Sequence, residues 1–134
     1  MFDEEQAQFV CDFLECLTCS SGVPLRLMDW QRNMITEFYG QLIEDEDDPA
    51  GSYLRRYQYL YLEIAKKNGK SEIAAGLGVY HLFADGEING EVYVVAADRD
   101  NAGIVFAAAK YMVEQSPALK KRSRIVDSVK TIYD

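Results

Sequence analysis

A glycine, a lysine and a serine in succession form the strongest chemical pattern in this sequence. The tripeptide Gly69-Lys70-Ser71 follows a β-prone run, Tyr59–Ile64, and a short polar stretch, Ala65–Asn68. In a phosphate-binding loop, backbone N–H groups of the loop and of the helix N-terminus hold the phosphates. The lysine reaches the β- and γ-oxygens, and the serine hydroxyl binds Mg²⁺. The usual pattern G-x-x-x-x-G-K-[ST] has a glycine where this chain has Ile64, so the sequence predicts a variant of this loop.

The elements predicted around the tripeptide are those that such a loop requires. We expect a strand over Arg55–Ile64, a helix over Lys70–Phe83 and a second strand over Glu91–Ala97. This alternation predicts a parallel sheet with right-handed crossovers, and ligands bind at the carboxyl ends of such strands. The predicted fold class is therefore α/β, with a P-loop NTPase core built on a parallel sheet and preceded by two N-terminal helices.

Apolar periodicity predicts three further helices. The first runs over about Asp3–Leu17, and Asp3 is placed to cap it. The second begins near Asp29 as its N-cap, and another covers about Asp100–Gln115. At 134 residues, the chain is long enough for one domain with one core.

Charge is distributed unevenly along the chain. Residues 1–52 carry 12 acidic and 2 basic residues, whereas residues 53–134 carry 10 acidic and 12 basic residues. The acidic total does not exclude nucleic-acid contact, since the phosphate-binding pattern lies in the basic part, but no strong basic surface argues for it. No apolar run approaches the roughly 20 residues that span a bilayer, and the acidic N-terminus is unlike a signal peptide. We therefore expect a cytoplasmic protein.

An acid at the end of the second predicted strand admits two interpretations. Val92–Ala97 leads into Asp98, as the strand before a Mg²⁺-binding Walker B aspartate would. Arg99, however, stands where an ATPase often has a glutamate that orients water. Asp98 or Asp100 is also placed to cap the following helix, and we favour capping over metal binding.

Three other candidate metal sites have simpler explanations. Cys16-x-x-Cys19 lacks the further ligands of a zinc site, so the three cysteines are expected to be reduced and packed as small hydrophobic residues. The five acids of Glu44–Asp48 predict a solvated loop. Asp85–Gly90 begins like an EF-hand loop but has Ala96 at the twelfth position, so we expect a turn.

A cluster of bases follows the last predicted helix. It comprises Lys120, Lys121, Arg122 and Arg124. These side chains could contact DNA phosphates, but a solvated helix end that complements the helix dipole is the simpler expectation.

Four segments together resemble one family, the large terminase subunits of tailed double-stranded DNA phages. Ala65–Ser71 resembles the variant Walker A motif of that family, Pro/Ala-Arg-Lys-Asn-Gly-Lys-Ser/Thr. Leu27–Gln31 resembles its Leu-x-x-Trp-Gln segment, Val95–Ala102 its Ala-x-x-Arg-Asp-Gln-Ala stretch, and Phe9–Leu17 its N-terminal helix. The resemblance spans essentially the whole chain, and the ordered set is more specific than any one motif.

The resemblance implies the N-terminal portion of an ATPase domain that drives double-stranded DNA into an empty procapsid. Residues 1–52 would form a helical adenine-side lead-in, and residues 53–134 a βαβα P-loop core. Under this resemblance, Walker B with its catalytic glutamate and the whole nuclease domain would lie beyond Asp134. The parallel sheet would then be truncated and the nuclease domain absent from this chain. We therefore expect this portion to bind ATP and Mg²⁺ with little hydrolysis.

The resemblance also implies partners and a location. The partners would be double-stranded DNA, the phage portal and the small terminase subunit, with a homo-oligomeric ring in the full-length protein. The location would be the host cell cytoplasm, with no membrane contact.

Roles for single residues follow from the same resemblance. Lys70 would hold the β- and γ-phosphates and Ser71 the Mg²⁺ ion, while Trp30 and Gln31 would contact adenine. Lys66 occupies the position of the Walker A arginine of the family, proposed to act as a cis finger on the γ-phosphate, so Lys70 and Lys66 are the catalytic candidates. The rest of the nucleotide-binding loop comprises Lys67, Asn68 and Gly69.

Two other interpretations of the sequence lead to different functions. A helicase-like protein or a small phosphotransferase would use the same Trp-Gln and Gly-Lys-Ser patterns, with Asp98 as its metal ligand. A non-catalytic module would instead use the acidic first half of the chain to bind a basic partner. Only the non-catalytic module would fail to bind Mg–ATP.

Overall fold

The computed structural model describes residues 1–63, 70–86 and 89–134. The chain divides into two compact units. Unit 1 consists of Met1–Phe13 and Arg26–Glu63, and unit 2 of Leu14–Leu25 and Ile64–Asp134. Within the described ranges, no helix is long and apolar enough to cross a membrane.

Helices dominate the described part of the chain, and its strands are short. The helices are α1 (Glu4–Glu15), α2 (Asp29–Gly40), α3 (Lys70–Phe83), α4 (Arg99–Gln115) and α5 (Pro117–Arg122). The strands are β1 (Leu42–Glu44), β2 (Tyr53–Arg55), β3 (Arg124–Val126) and β4 (Thr131–Tyr133), with a 3₁₀ turn at Asp127–Val129. The fold is thus a mixture of helices and strands.

Unit 1 contains helix α2 and a two-stranded hairpin. Strands β1 and β2 pair antiparallel, with Glu44 opposite Tyr53. Tyr39 of α2 is buried, and the guanidinium carbon of Arg55 lies 5.3 Å from the centroid of its ring. The turn of the hairpin holds the acidic run, so the predicted solvated loop is confirmed from Asp45 onward.

Unit 2 is held together by the packing of α3 against α4. Its largest fully buried side chains are Leu14, Tyr80, Met112 and Val113. Helix α4 is followed by the short α5, which starts with Pro117, and then by the antiparallel hairpin of β3 and β4. Neither α5 nor this hairpin is among the elements that the sequence predicted.

The predicted helices are confirmed, with one change at a cap. Helix α3 has the predicted bounds, and α1 and α4 differ from prediction by one or two residues at their ends. Asp3 caps α1, since its Oδ1 accepts the Gln6 N–H at 3.0 Å. The N-cap of α2 is Met28 rather than Asp29, because the Gln31 side-chain oxygen accepts the Met28 N–H at 2.8 Å and Asp29 already lies in the first turn.

The two predicted strands of the parallel sheet are wrong over their described residues. Of the segment predicted up to Ile64, only Arg55 belongs to a strand, residues 56–63 do not, and Ile64 itself lies outside the described residues. Residues 91–97 also form no strand. Among the described residues, both sheets are two-stranded and antiparallel.

The physical reason lies in what β-propensity measures. Tyrosine and valine favour strands because their side chains fit a pleated, half-buried surface next to a paired strand. Here Tyr59, Tyr61 and Val95 are 90%, 86% and 90% exposed, so one face of each segment is open, and neither segment pairs with a neighbouring strand among the described residues. The composition of these segments therefore suits a sheet that the described residues do not form.

Candidate nucleotide-binding site

Lys70 and Ser71 are the first two residues of α3, in unit 2. Both are exposed. The first N–H groups of a helix have no partner within it, and together with the helix dipole they favour an anion at that end. The start of α3 therefore combines N–H donors, an ammonium group and a hydroxyl, which is the set that a phosphate with a divalent cation requires. The remaining predicted loop residues, Lys66, Lys67, Asn68 and Gly69, lie outside the described residues.

The body of α3 is anchored in the core of unit 2. Its buried positions include Ile73, Val79, Tyr80 and Phe83. On the side that faces the end of α1, Gly76 packs directly on the Leu14 side chain. Buried contacts along the whole helix fix its axis and so define where its exposed first turn lies.

A carboxylate of the first turn of α3 makes a contact that the sequence did not predict. Glu72, which directly follows Ser71, accepts a hydrogen bond from the Ser20 hydroxyl at 2.5 Å. Burial, and second the negative charge of Glu72, raise the pKa of the neighbouring Cys19 thiol. The signal for this contact in the sequence is weak, since it consists of one acid immediately after the Gly-Lys-Ser tripeptide.

The two residues predicted to contact adenine lie in unit 1, at the start of α2. Trp30 is 38% exposed, so part of its ring is open to a flat ligand. Gln31 is buried, and its side-chain oxygen accepts the Met28 N–H. Gln31 therefore has a structural role, because it helps to start α2. The predicted site residues that the structure describes thus form two adjacent pairs, one in each unit.

Asp98 is the N-cap of α4, which confirms the capping prediction. Its Oδ1 accepts the Asn101 backbone N–H at 2.8 Å, and its Oδ2 accepts the Asn101 side-chain amide at 3.0 Å. Both carboxylate oxygens are thus engaged by one residue of the first turn. Nowhere in residues 1–63, 70–86 and 89–134 do three or more histidines, cysteines or acids gather in a way that could hold a metal ion.

The basic cluster after α4 divides into two kinds of residue. Lys120 and Lys121 are exposed near the end of α5, as the predicted solvated helix end requires. Arg122 instead donates two hydrogen bonds to Asp134, and the Arg124 guanidinium carbon lies 4.6 Å from the centroid of the Tyr133 ring. All four bases are thus exposed, as the predicted solvated cluster requires, and the two arginines also have partners at the end of the chain that the sequence did not predict.

The cysteines and the EF-hand-like segment carry no metal site in the described structure. All three cysteines are free, as predicted, but only Cys11 is packed as a small hydrophobic residue. Cys16 is exposed, because α1 ends one residue before it. Asp85 of the EF-hand-like segment is engaged by His81, with 3.0 Å between Nδ1 and Oδ2. The left-handed backbone at Gly86 and Asn89 fits the predicted turn, whose residues 87 and 88 lie outside the described residues.

Comparison with known proteins gives one consistent result. The family model for the ATPase domain of the terminase large subunit matches residues 29–133. The terminase large subunit of Enterobacteria phage HK97 is 33% identical over 112 residues, which are 83% of this chain and 20% of that protein. The crystal structure of the HK97 bacteriophage large terminase matches 99% of this chain with a TM-score of 0.75 and 31% identity. That match covers 25% of the crystallised chain, so the present chain spans a fifth to a quarter of the length of these relatives.

Proposed function

This chain belongs to the family of terminase large subunit ATPase domains, and from that premise we propose that it binds ATP with Mg²⁺ as part of a DNA-packaging motor. The observation that carries the proposal is the start of α3. Lys70 and Ser71 are exposed at the N-terminus of a helix whose body is buried in unit 2. An ammonium group, a hydroxyl and unpaired N–H donors on one fixed helix turn are suited to a triphosphate and to few other common ligands.

The donor set of this chain fits Mg²⁺. Mg²⁺ is held in nucleotide sites by one or two protein oxygens, by phosphate oxygens and by water, so an acidic cage is not needed. The exposed hydroxyl of Ser71 is a suitable single oxygen ligand. When bound, the ion would neutralise charge on the β- and γ-phosphates, while Lys70 would contribute a point charge on the same oxygens.

The remaining residues of the predicted site are proposed to bind the rest of the nucleotide. Trp30 is proposed to contact the adenine ring through its exposed face, and Gln31 through its amide. Lys66, Lys67, Asn68 and Gly69 are proposed to complete the phosphate-binding loop, with Lys66 as a second cation near the γ-phosphate. Lys70 and Lys66 remain the catalytic candidates of the proposal.

A parallel sheet is proposed for the longer protein. Residues 57–63 and 91–97 are rich in tyrosine and valine and flank α3 in sequence, as strands on either side of a P-loop helix would. Their exposed side chains would be covered once neighbouring strands pair with them. Residues 1–52 would then be a helical lead-in to the P-loop core of residues 53–134.

The whole motor is proposed to act on double-stranded DNA in the cytoplasm of the host cell. It would work with the portal and the small terminase subunit as a homo-oligomeric ring. Arg99 follows Asp98 where an ATPase often has the glutamate that orients the attacking water, and Asp98 itself caps α4. We therefore expect nucleotide binding with little hydrolysis.

Titration of Mg–ATP, followed by the fluorescence of Trp30, tests the proposal. Lys70→Ala should weaken binding at least about tenfold, since a charge-assisted contact to phosphate is lost. Lys121→Ala is the matched control, because Lys121 is also an exposed lysine of a helix end and should leave the affinity unchanged. Equal affinities for the two variants would contradict the proposal. A robust ATPase rate that Lys70→Ala abolishes would contradict the expectation of little hydrolysis.

A further inference from the structure

The hydrogen bond between Ser20 and Glu72 joins two parts of unit 2 that are far apart in sequence. Ser20 lies in a loop, residues 18–24, that follows α1, whereas Glu72 lies in the first turn of α3. The loop is closed by backbone hydrogen bonds from the Cys19 N–H to the Val23 carbonyl at 2.8 Å and from the Leu25 N–H to the Leu17 carbonyl at 2.9 Å. Ser20 therefore lies in a turn that backbone hydrogen bonds hold closed.

Glu72 shares one face of α3 with Gly76. Residues four apart on a helix lie one turn above each other. Gly76 packs on Leu14, Leu17 and Leu25, which flank the Ser20 loop in sequence, so both contacts dock the same side of α3 on the same segment. The Gly76 contact fixes the middle of the helix, and the Ser20–Glu72 bond fixes its first turn.

The second oxygen of Glu72 is not satisfied. Among the described residues, Glu72 Oε2 is the buried side-chain oxygen or nitrogen that lacks a hydrogen-bond partner. A carboxylate oxygen withdrawn from water without a donor lowers the stability of the folded state. Such a cost is commonly found where a residue serves function rather than stability. The apolar isostere methionine would avoid it, so the presence of a carboxylate here calls for another explanation.

From these contacts we infer that Glu72 is a positioning residue for the nucleotide site. By accepting the Ser20 hydroxyl, its carboxylate holds the turn that carries Lys70 and Ser71 against the Ser20 loop, and so couples nucleotide binding to that loop. Glu72 does not need to touch the nucleotide for this. The inference rests on the proposed nucleotide-binding function, and it adds Ser20 and Glu72 to the residues that determine affinity.

Two adjacent serines provide a matched test by Mg–ATP titration of the whole chain. Ser20→Ala removes the hydroxyl and should weaken Mg–ATP binding by up to about tenfold, the limit reached when the whole free energy of a hydrogen bond to a charged group is expressed in nucleotide binding. Ser20→Thr keeps the hydroxyl and should restore the affinity. Ser21→Ala is the control, because Ser21 is exposed and adjacent but makes no hydrogen bond within the described residues.

A second variant separates positioning from a merely structural role. Glu72→Met removes the acceptor of the Ser20 hydroxyl and the unsatisfied oxygen together. The urea midpoint should stay the same or rise, whereas the affinity for Mg–ATP should fall as far as in Ser20→Ala. In the Glu72→Met background, Ser20→Ala should have no further effect on affinity, since the two residues act through one bond.

The outcomes distinguish this inference from the proposed function. If the unchanged chain binds Mg–ATP and both Ser20→Ala and Glu72→Met bind it equally well, the positioning role is overturned and the proposed function stands. A parallel loss of stability and affinity in Glu72→Met also overturns it, since it shows a structural role only. If the unchanged chain does not bind Mg–ATP, the proposed function fails, and the positioning role fails with it.

Discussion

A Cβ atom added at Gly76 would lie 2.9 Å from Leu14 Cδ2, closer than side-chain carbons approach in well-packed proteins. Helix α3 therefore meets the end of α1 at a point where an added methyl group would have to displace the buried Leu14 side chain. Packing contacts, this one among them, hold the helix that carries Lys70 and Ser71, since the glycine itself lowers helix propensity.

Replacing Gly76 should show whether close packing or helix propensity has the larger effect on the free energy of unfolding. Gly76→Ala should lower the free energy of unfolding by about 1–2 kcal/mol, because the added methyl group overpacks the contact with Leu14. Gly78→Ala is the matched control, since its added Cβ would meet Val92 at an ordinary 3.6 Å. It should raise stability by roughly 0.5–1 kcal/mol through helix propensity alone. Urea unfolding of both variants checks the prediction, and stabilisation by Gly76→Ala would contradict it.

The cap of α4 should be replaceable by a neutral cap. Asp98→Asn keeps a side-chain oxygen for the Asn101 N–H and should change stability little, whereas Asp98→Ala should cost about 1 kcal/mol. Neither variant should change the Mg²⁺ dependence of ATP binding. Calorimetric titration with and without Mg²⁺ checks this. A loss of Mg²⁺-dependent binding in Asp98→Asn would show that Asp98 is a metal ligand and would favour a compact phosphotransferase.

The rate at which the Cys19 thiol is alkylated should depend on the negative charge of Glu72. Burial is the main cause that raises the pKa of this thiol, and the negative charge of Glu72 is the second. Glu72→Gln removes only the second cause, so the pKa of Cys19 should fall and more thiolate should be present at mildly alkaline pH. Alkylation by iodoacetamide should then be faster at pH values near the thiol pKa. The measurement uses a Cys16→Ser background, in which the buried Cys11 stays shielded. Identical pH profiles with and without Glu72→Gln would contradict the prediction.

The pair of Arg122 and Asp134 should make a small contribution to stability that depends on pH. Hydrogen bonds from the guanidinium lower the pKa of Asp134. Because this pKa is lower in the folded than in the unfolded chain, the contribution is present above the ordinary aspartate value and is lost as the pH falls through the folded pKa. The pair is solvent-screened, so Asp134→Asn should cost only about 0.2–1 kcal/mol at neutral pH. Urea unfolding in a pH series checks this, and a difference from the wild type that persists in acid would contradict it.

Local patterns in the sequence predicted the helices well. Helix α3 has the predicted bounds of Lys70 and Phe83, and Asp98 caps α4 as its position before that helix indicated. Strands were not predictable in the same way, because a strand depends on residues that are distant in the sequence. Tyr59 and Val95 have high strand propensity, but a strand also needs a paired neighbour, which single-chain periodicity does not report.

The sequence indicated which residues of the candidate site could bind phosphate, but not which contacts hold those residues in place. The Gly-Lys-Ser tripeptide indicated Lys70 and Ser71 because the ligands of a phosphate lie on consecutive residues of one turn. The partner of Glu72 is Ser20, which is 52 residues away, so no local spacing rule connects the two. The cap of α2 was misplaced for a different reason: Asp29 is a preferred N-cap type and methionine is not, but the side-chain oxygen of Gln31, three residues on, accepts the Met28 N–H.

The two extended segments with exposed side chains would give the chain two places where strands of other molecules could pair. Residues 57–63 and 91–97 each offer a backbone edge and exposed aromatic or β-branched side chains, as Tyr59, Tyr61 and Val95 show. A molecule with one such edge associates only as far as a dimer, whereas a molecule with two can grow into an open chain. In polymer terms such a chain would be bifunctional, and a charged residue introduced into either segment should limit association to pairs.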